Sequence, residues 1–217
     1  MKIGAILHKI GTEDVASFLR KLEAVAGLDV VIGPDYSLMH SPDSINTRQE
    51  SSDLIGHLEQ ISEARKGMLL VPGTMTYEAG GQIAHIAPVF LDGKLIKIFQ
   101  KKSDDGEGKL AREAGKVYAR GSSNQGTIDF QDRKISIGIC GDWGRVLLPV
   151  GDIELILAYD RNAGFHPHLA TLHIPRKTII CDGFYPSNTA VEYNPASTPQ
   201  HKSLKGILER SIEVFGI

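Results

Sequence analysis

The chain has few cysteines and no long apolar stretch. Its only cysteines are Cys140 and Cys181, which form no CxxC pair and no metal-finger spacing. The sequence therefore predicts neither a disulfide scaffold nor a cysteine-based zinc site. The apolar run at the N-terminus is too short and too interrupted for a signal peptide or a membrane span. We expect a cytoplasmic protein with no membrane partner.

Other absences narrow the function further. The formal charge is −2, so the chain has no basic excess with which to hold a nucleic-acid backbone, and no nucleic-acid partner is expected. It contains neither a GxGxxG nor a P-loop pattern, and we expect no cofactor. His166 and His168 lack metal-ligand spacing, so no metal is predicted. His166 is instead a candidate for lining a substrate pocket.

Alternating apolar runs and helical patterns predict an α/β fold in the first part of the chain. Thr12 is a candidate N-cap and Gly27 a candidate end for the first helix. No Pro- or Ser-rich linker divides the 217 residues, so residues 1–217 are predicted to form a single domain. The expected order is strand 2–9, helix 12–27, a buried strand ending at Gly33 and Pro34, helix 50–66 and a strand near 67–74.

Two hairpins follow in the sequence pattern. The first turns at 91–94, where Asp92-Gly93 is a strong hairpin signal, and the second turns at 131–133 and ends on Cys140. A short helical turn is expected at 109–116, one strand is expected after Pro149 and a pair of strands within 178–194. Helical spacing of apolar residues in 201–216 predicts a C-terminal helix. The sum is a sheet-rich sandwich with helices outside.

Cys140 ends an apolar, β-branched run and is followed by a glycine. A strand that delivers a thiol to a Gly-containing turn presents a nucleophile, because the backbone there can approach a substrate closely. A buried structural cysteine is the other interpretation, since free cysteine is among the most buried residue types.

Three candidate groups share one topological position. Asp35, Lys101 and Cys140 each lie at or just beyond the end of a predicted strand, where sites form in open α/β sheets. A carboxylate can take the thiol proton and later activate water, the thiolate can attack a carbon electrophile, and an ammonium can stabilise the oxyanion. A nearby ammonium also lowers the pKa of a thiol.

These residues lie in stretches that resemble the nitrilase superfamily of carbon–nitrogen hydrolases. VVIGPDYSL resembles the family's first triad motif, DGKLIKIFQKK its second and ISIGICGDWGR its third, with LLVPGT between the first two. The resemblance covers about residues 1–160. It implies an α-β-β-α sandwich with a Glu-Lys-Cys triad that acts without a cofactor on a small-molecule amide or related substrate. It also implies a homodimer or a higher homo-oligomer.

The resemblance assigns roles to individual residues. Cys140 is the nucleophile and Lys101 the catalytic lysine, because FQK stands where the family has an aromatic residue, a basic residue and lysine. Glu113, followed by AGKVYARG, resembles the second glutamate, which positions the lysine. With Asp35 as the proton acceptor, these residues form the predicted catalytic set.

The residues directly after Cys140 are candidates for substrate binding. The Gly141 amide is expected to support the oxyanion, and Asp142 matches the acidic residue that the family places two positions after the cysteine. Trp143 either forms a wall of the substrate site or packs in the interior.

Two departures from the family pattern keep more than one function open. Asp35 stands where the family has glutamate, and residues 160–217 are a shortened and divergent C-terminal part. The leading hypothesis is a cysteine-dependent hydrolase of a non-peptide C–N bond, an amidase rather than a nitrilase, acting through a thioester. The alternatives are a catalytically inactive protein of the same fold that binds a small molecule or a partner, and a generic α/β domain.

Overall fold

The computed structural model describes residues 1–122, 125–142, 151–159, 177–183, 189–193 and 212–216. Within these ranges the strands form two sheets, one 8-stranded and one 5-stranded. The first sheet is built from β1 (Lys2–Ile6), β2 (Val30–Ile32), β3 (Leu69–Val71), β4 (Met75–Ala79), β5 (Gln82–Leu91), β6 (Lys94–Gln100), β7 (Val117–Ala119) and β13 (Ile212–Gly216). The second contains β8 (Ile128–Phe130), β9 (Arg133–Ile139), β10 (Ile153–Ala158), β11 (Lys177–Asp182) and β12 (Thr189–Tyr193).

The centre of the first sheet is parallel, because helices connect its strands. Helix α1 (Val15–Ala24) joins β1 to β2 and helix α2 (Arg48–Glu63) joins β2 to β3, and the three strands pair in parallel. Asp14, rather than the predicted Thr12, caps α1, since its side chain accepts the Ser17 amide. Thr47 begins α2 in a capping box with Glu50.

Both predicted hairpins are confirmed. Strands β5 and β6 pair in antiparallel fashion around Asp92 and Gly93, whose φ angles of 52° and 80° are those of a two-residue hairpin turn. Strands β8 and β9 turn at Gln131 and Asp132, which also have positive φ. Helix α3 (Glu107–Glu113) follows β6, two residues earlier than the predicted turn begins. A 3₁₀ turn over Cys140–Asp142 follows β9.

The two sheets bury their facing sides against each other. Ile3, Ile32 and Val71 of the first sheet belong to the same buried cluster as Ile137 and Leu155 of the second. A second apolar cluster joins the outer face of the first sheet to the helices. Burial of these branched side chains is the main stabilising contribution to such a layered arrangement. The predicted α/β sandwich is confirmed.

The predicted C-terminal helix is wrong where the chain is described. Residues 212–216 form β13, which pairs in antiparallel fashion with β1, while 201–211 lie outside the described residues. Ile212 contacts the helix-side cluster and Phe215 the cluster between the sheets. Side chains on opposite faces are typical of a strand, and pairing with β1 supplies the backbone hydrogen bonds that a helix would otherwise make. None of the helices in the described part of the chain is long and apolar enough to cross a membrane.

Candidate active site

The structure brings three predicted site residues together inside the protein. Asp35 follows β2, Lys101 follows β6 and Cys140 follows β9. The side chains of Asp35 and Lys101 are fully buried, and Cys140 is 7% exposed. Burial alone would lower the pKa of Lys101, but the charges of Asp35, Cys140 and Glu107 raise it above its ordinary value. Lys101 is therefore an ammonium that interacts with both other members of the predicted triad.

Asp35 uses one carboxylate oxygen for structural contacts. Its Oδ1 accepts a 2.5 Å hydrogen bond from the hydroxyl of Thr74 and lies 2.9 Å from Nε2 of His85. Among the described residues, no hydrogen-bond donor reaches Oδ2 of Asp35. Burial opposes ionisation of Asp35, yet the His85 charge, the hydrogen bond from His85 and the Lys101 charge hold its pKa below the usual value. Asp35 is thus a buried carboxylate with one oxygen available to accept a proton.

Glu107, at the start of α3, accepts hydrogen bonds at both of its carboxylate oxygens. Its Oε1 lies 2.5 Å from Nζ of Lys101 and 3.0 Å from Nδ1 of His85, and it accepts a 3.1 Å hydrogen bond from the Tyr36 hydroxyl. Its Oε2 accepts the Asp105 amide at 2.8 Å. Burial would raise the pKa of Glu107, but the hydrogen bond from His85 and the Lys101 charge lower it well below its ordinary value. A carboxylate bound in this way fixes its neighbours and does not take up protons near neutral pH.

The lysine is fixed at both of its ends. Its backbone amide donates to the His85 carbonyl at 2.8 Å, which continues the β5–β6 pairing. Its Nζ contacts Glu107 at 2.5 Å and Asp105 at 3.1 Å. An ammonium has three N–H donors, so two carboxylates do not exhaust its donors.

Tyr36 forms a wall of the site in a strained backbone conformation. Its φ is 60°, in the left-handed region that non-glycine residues rarely adopt. The ring contacts His85 at 4.8 Å and meets Tyr159 edge-on at 5.3 Å. Such strain is maintained where the surrounding structure holds a residue in place, and here it carries the Tyr36 hydroxyl to Glu107.

Cys140 opens into a cleft of about 1000 Å³. It also has a positive φ, 41°, at the point where β9 ends, and its Sγ lies 3.4 Å from the Tyr159 carbonyl. This geometry favours the presentation of a nucleophile over purely internal packing, because the thiol faces a cavity large enough for a small molecule. The other described residues that line the cleft are Tyr36, Pro42, Asp43, Thr76, Asp104, Asp105, Gly106, Glu107, Lys109, Leu110, Glu113 and Tyr159.

Gly141 and Asp142 hold the turn after β9 against the segment that follows β6. A Cβ at Gly141 would overlap the Asp105 carboxylate, so glycine permits the close approach of this turn to the residue that contacts Lys101. The Asp142 carboxylate accepts the amides of Lys102 at 3.0 Å and Ser103 at 2.6 Å, which ties β9 to the segment after β6. Burial raises the pKa of Asp142. The substrate-binding roles of Gly141 and Asp142 stay predictions.

Three predicted site residues remain, Glu113, Trp143 and His166. The prediction that Glu113 positions Lys101 is wrong: the Glu113 side chain is 62% exposed at the rim of the cleft and lies 3.7 Å from Lys109. Glu107, which precedes Glu113 at the start of the same helix, makes the expected contact. Trp143 and His166 lie outside the described residues.

Sequence reasoning missed several residues of the site. His85 lies on β5, where the strand pattern treats it as one polar residue among apolar neighbours. Glu107 lies in the polar stretch after Lys102, two residues before the predicted helical turn begins, so no local pattern marked it as a site residue. Thr74 and Tyr36 complete the set of missed residues. Across the described ranges, no cluster of three or more histidine, cysteine or acidic side chains is arranged to hold a metal ion.

Comparisons with known proteins agree with this architecture. No protein-family model matches the chain, and no curated protein matches it. Among solved structures, a cysteine-to-alanine variant of the amidase from Nesterenkonia sp. AN1, in complex with butyramide, matches with a TM-score of 0.67 and 15% identity over 90% of this chain and 84% of that one. The amidase is described as a member of the nitrilase superfamily. The chain has the nitrilase-superfamily fold.

Two further solved structures are similar to the chain. A second variant of the Nesterenkonia amidase, which shows Michael addition of acrylamide at the active-site cysteine, matches with a TM-score of 0.64 and 15% identity over 90% of this chain and 86% of that one. The glutamine-dependent NAD+ synthetase from Acinetobacter baumannii matches with a TM-score of 0.64 and 16% identity, over 83% of this chain and 38% of that chain. At such identities the likeness establishes the fold, and the predicted fold is confirmed.

Proposed function

We propose that this protein is a cysteine-dependent hydrolase of the nitrilase type that cleaves the C–N bond of a small amide. The observation that carries the proposal is that Cys140 lines a cleft together with Glu107 and Asp105, the two carboxylates that hold the buried ammonium of Lys101. The amidase activity of the Nesterenkonia proteins with the same fold supports the choice of an amide as substrate.

The residues divide the chemistry between them. Sγ of Cys140 attacks the carbonyl carbon while the thiol proton passes to Asp35, and the remaining N–H of Lys101 together with the Gly141 amide supports the oxyanion. As the C–N bond breaks, Asp35 gives its proton to the leaving amine and a thioester remains. Water then adds to the thioester and loses a proton to Asp35, the C–S bond breaks, and that proton returns to the thiol as the carboxylic acid leaves.

Asp35 is better suited than Glu107 to this proton transfer. Glu107 accepts hydrogen bonds at both of its oxygens, whereas no described donor reaches Oδ2 of Asp35. A general base needs an oxygen within reach of the proton that it removes. We therefore assign proton transfer to Asp35 and the holding of Lys101 to Glu107.

Ammonia release from a panel of short aliphatic amides and nitriles tests the function. We expect hydrolysis of one or more amides and its loss in Cys140→Ala, with an acyl adduct on Cys140 in the intact mass spectrum when product release is slow. Cys181→Ala is the matched control, because Cys181 is fully buried and its pKa is raised by burial. Hydrolysis that persists in Cys140→Ala would contradict the mechanism.

Thiol alkylation distinguishes the enzyme from an inactive binding protein of the same fold. The ordinary pKa of cysteine is about 8.5, and adjacent cations lower it in reactive sites. We therefore expect iodoacetamide to modify Cys140 at a pH well below that value. Slow alkylation at every pH, together with no turnover of any amide, would favour the binding protein. Mass mapping of the modified peptide separates Cys140 from Cys181.

A further inference from the structure

His85 lies between two buried carboxylates. Its Nε2 is 2.9 Å from Oδ1 of Asp35 and its Nδ1 is 3.0 Å from Oε1 of Glu107, and the ring is fully buried. Ionised carboxylates only accept hydrogen bonds, and both ring nitrogens of histidine donate only when the ring is protonated. Nε2 also lies 2.7 Å from the Thr74 hydroxyl oxygen, and the single proton of that hydroxyl is donated to Oδ1 of Asp35 at 2.5 Å, so an Nε2 without a proton would face oxygen lone pairs on both neighbours. The two distances together describe an imidazolium.

The imidazolium spans the gap that a short acidic side chain leaves. Asp35 has one methylene fewer than glutamate, so its carboxylate lies roughly 1.5 Å closer to its own backbone. The His85 ring connects this carboxylate to Glu107, which in turn contacts Lys101 at 2.5 Å. The Thr74 hydroxyl donates to the same Asp35 oxygen at 2.5 Å and also lies 2.7 Å from Nε2 of His85. Among the described residues, every hydrogen bond to the Asp35 carboxylate therefore falls on Oδ1.

We propose that His85 is the positioning residue of this site: it holds Asp35 by one oxygen, ties it to the Glu107–Lys101 pair and leaves the second oxygen for the thiol proton of Cys140. The proposal rests on the proposed function for its consequence in catalysis. It assigns to a histidine on β5 the alignment that a longer carboxylate would achieve by its own length.

Charge balance follows from the same arrangement. The charged and titratable groups that face His85 are Asp35 after β2, Glu107 on α3 and Lys101 after β6, and the Tyr36 ring lies 4.8 Å from the His85 ring. Two of these groups are anions and two are cations, and Asp105 adds a third carboxylate 3.1 Å from Nζ of Lys101. Burial opposes protonation of His85, but the charges of Asp35 and its hydrogen bonds to both carboxylates raise its pKa above the ordinary value. Loss of the imidazolium leaves the anions in excess, and Asp35 then holds its proton to a higher pH.

The pH profile of Cys140 alkylation tests the proposal without requiring hydrolysis. In a Cys181→Ser background, we expect His85→Gln and His85→Asn to shift the half-maximal pH for iodoacetamide modification upward by about one unit, a tenfold rate loss on the acidic limb. His57→Gln is the matched control, since His57 is 42% exposed on α2 and pairs with Glu23; its profile should coincide with that of the parent. A His85→Gln profile that coincides with the parent, while Asp35→Asn shifts it, overturns the proposal.

The protonation state of the ring gives a second measurement on the unmodified chain. We expect ¹⁵N spectra of histidine-labelled protein to show one ring with both nitrogens protonated well above the ordinary histidine pKa of about 6.5, and Asp35→Asn to alter that signal. A neutral ring there overturns the proposal even when the His85 variants do not fold. If no amide is hydrolysed and the alkylation profile still shifts in the His85 variants, the proposed function fails and the positioning role stands. If an amide is hydrolysed and the profile does not shift, the positioning role fails and the proposed function stands.

Discussion

Oε1 of Glu107 lies 2.5 Å from Nζ of Lys101, and the same oxygen accepts hydrogen bonds from Tyr36 and His85. Replacement of Glu107 by Gln removes the charge that holds the lysine and leaves a buried ammonium with poorer compensation. We expect kcat/KM for the amide substrate to fall by roughly 10²–10³-fold, as for the loss of other preorganised polar contacts. Glu113→Gln, which loses only an exposed pair at the rim, should lower kcat/KM far less. Equal losses in the two variants would contradict the assignment.

Asp35 and His85 are expected to be coupled. In Asp35→Glu the added methylene drives the carboxylate into Thr74 and His85, and we expect about a hundredfold loss of activity, as for misplacement by about 1 Å. His85→Asn in the same chain removes the obstruction, so the double variant should recover part of the loss. A double-mutant cycle on kcat/KM measures this coupling. Additive effects, or full activity in Asp35→Glu alone, would contradict the geometry described for Asp35.

Gly141→Ala should disturb the site while the fold survives. The new Cβ would overlap the Asp105 carboxylate, which lies 3.1 Å from Nζ of Lys101. We expect a loss of activity of roughly tenfold or more from the displaced lysine. The control is Gly56→Ala, a helical position with open space, which should stabilise the protein by roughly 0.5–1 kcal/mol and leave turnover unchanged. Thermal melts and steady-state rates of both variants decide the outcome.

Stability should peak near the ordinary pKa of histidine. Burial lowers the pKa of His8 to about 4, and the carboxylates around His85 raise the pKa of that ring despite burial. Below about pH 6.5 His8 binds a proton in the unfolded chain but stays unprotonated in the folded protein, so the free energy of unfolding falls as the pH drops towards 4. Above about pH 6.5 folded His85 retains a proton that the unfolded chain releases, so stability falls as the pH rises through the folded pKa.

Urea unfolding at a series of pH values measures this curve. His8→Gln should flatten the slope on the acidic side, and His85→Gln should flatten it on the basic side. The His8 ring lies 4.9 Å from Phe18 and 3.3 Å from Glu13, so the variant should also lose stability at every pH. Unchanged slopes in both variants would contradict the assigned charge states.

The parts of the site that follow strand ends could be predicted from sequence. Asp35, Lys101 and Cys140 terminate apolar runs, and strand direction alone places such residues at one edge. Glu107 could not be predicted in the same way, because nothing local in the polar stretch before it distinguishes it from Asp105. Its role arises from the path of the chain after β6, and spacing in the sequence selected Glu113 instead.

The error at the C-terminus has a related cause. Ile212 and Phe215 fit a helical face as well as they fit a strand, since short apolar patterns do not separate the two structures. Pairing with β1 decides between them, and that contact joins residues separated by nearly the whole length of the chain. Tertiary pairing of this kind overrides local propensity.

The β5–β6 hairpin sets the distance between the two cationic groups of the site. His85 and Lys101 lie across from each other at its open end, joined by a 2.8 Å hydrogen bond, while Asp92 and Gly93 form the turn at the other end. A strand that slips by one residue turns all its side chains to the opposite face. We therefore expect a one-residue insertion or deletion at this turn to abolish activity without altering any residue that lines the cleft.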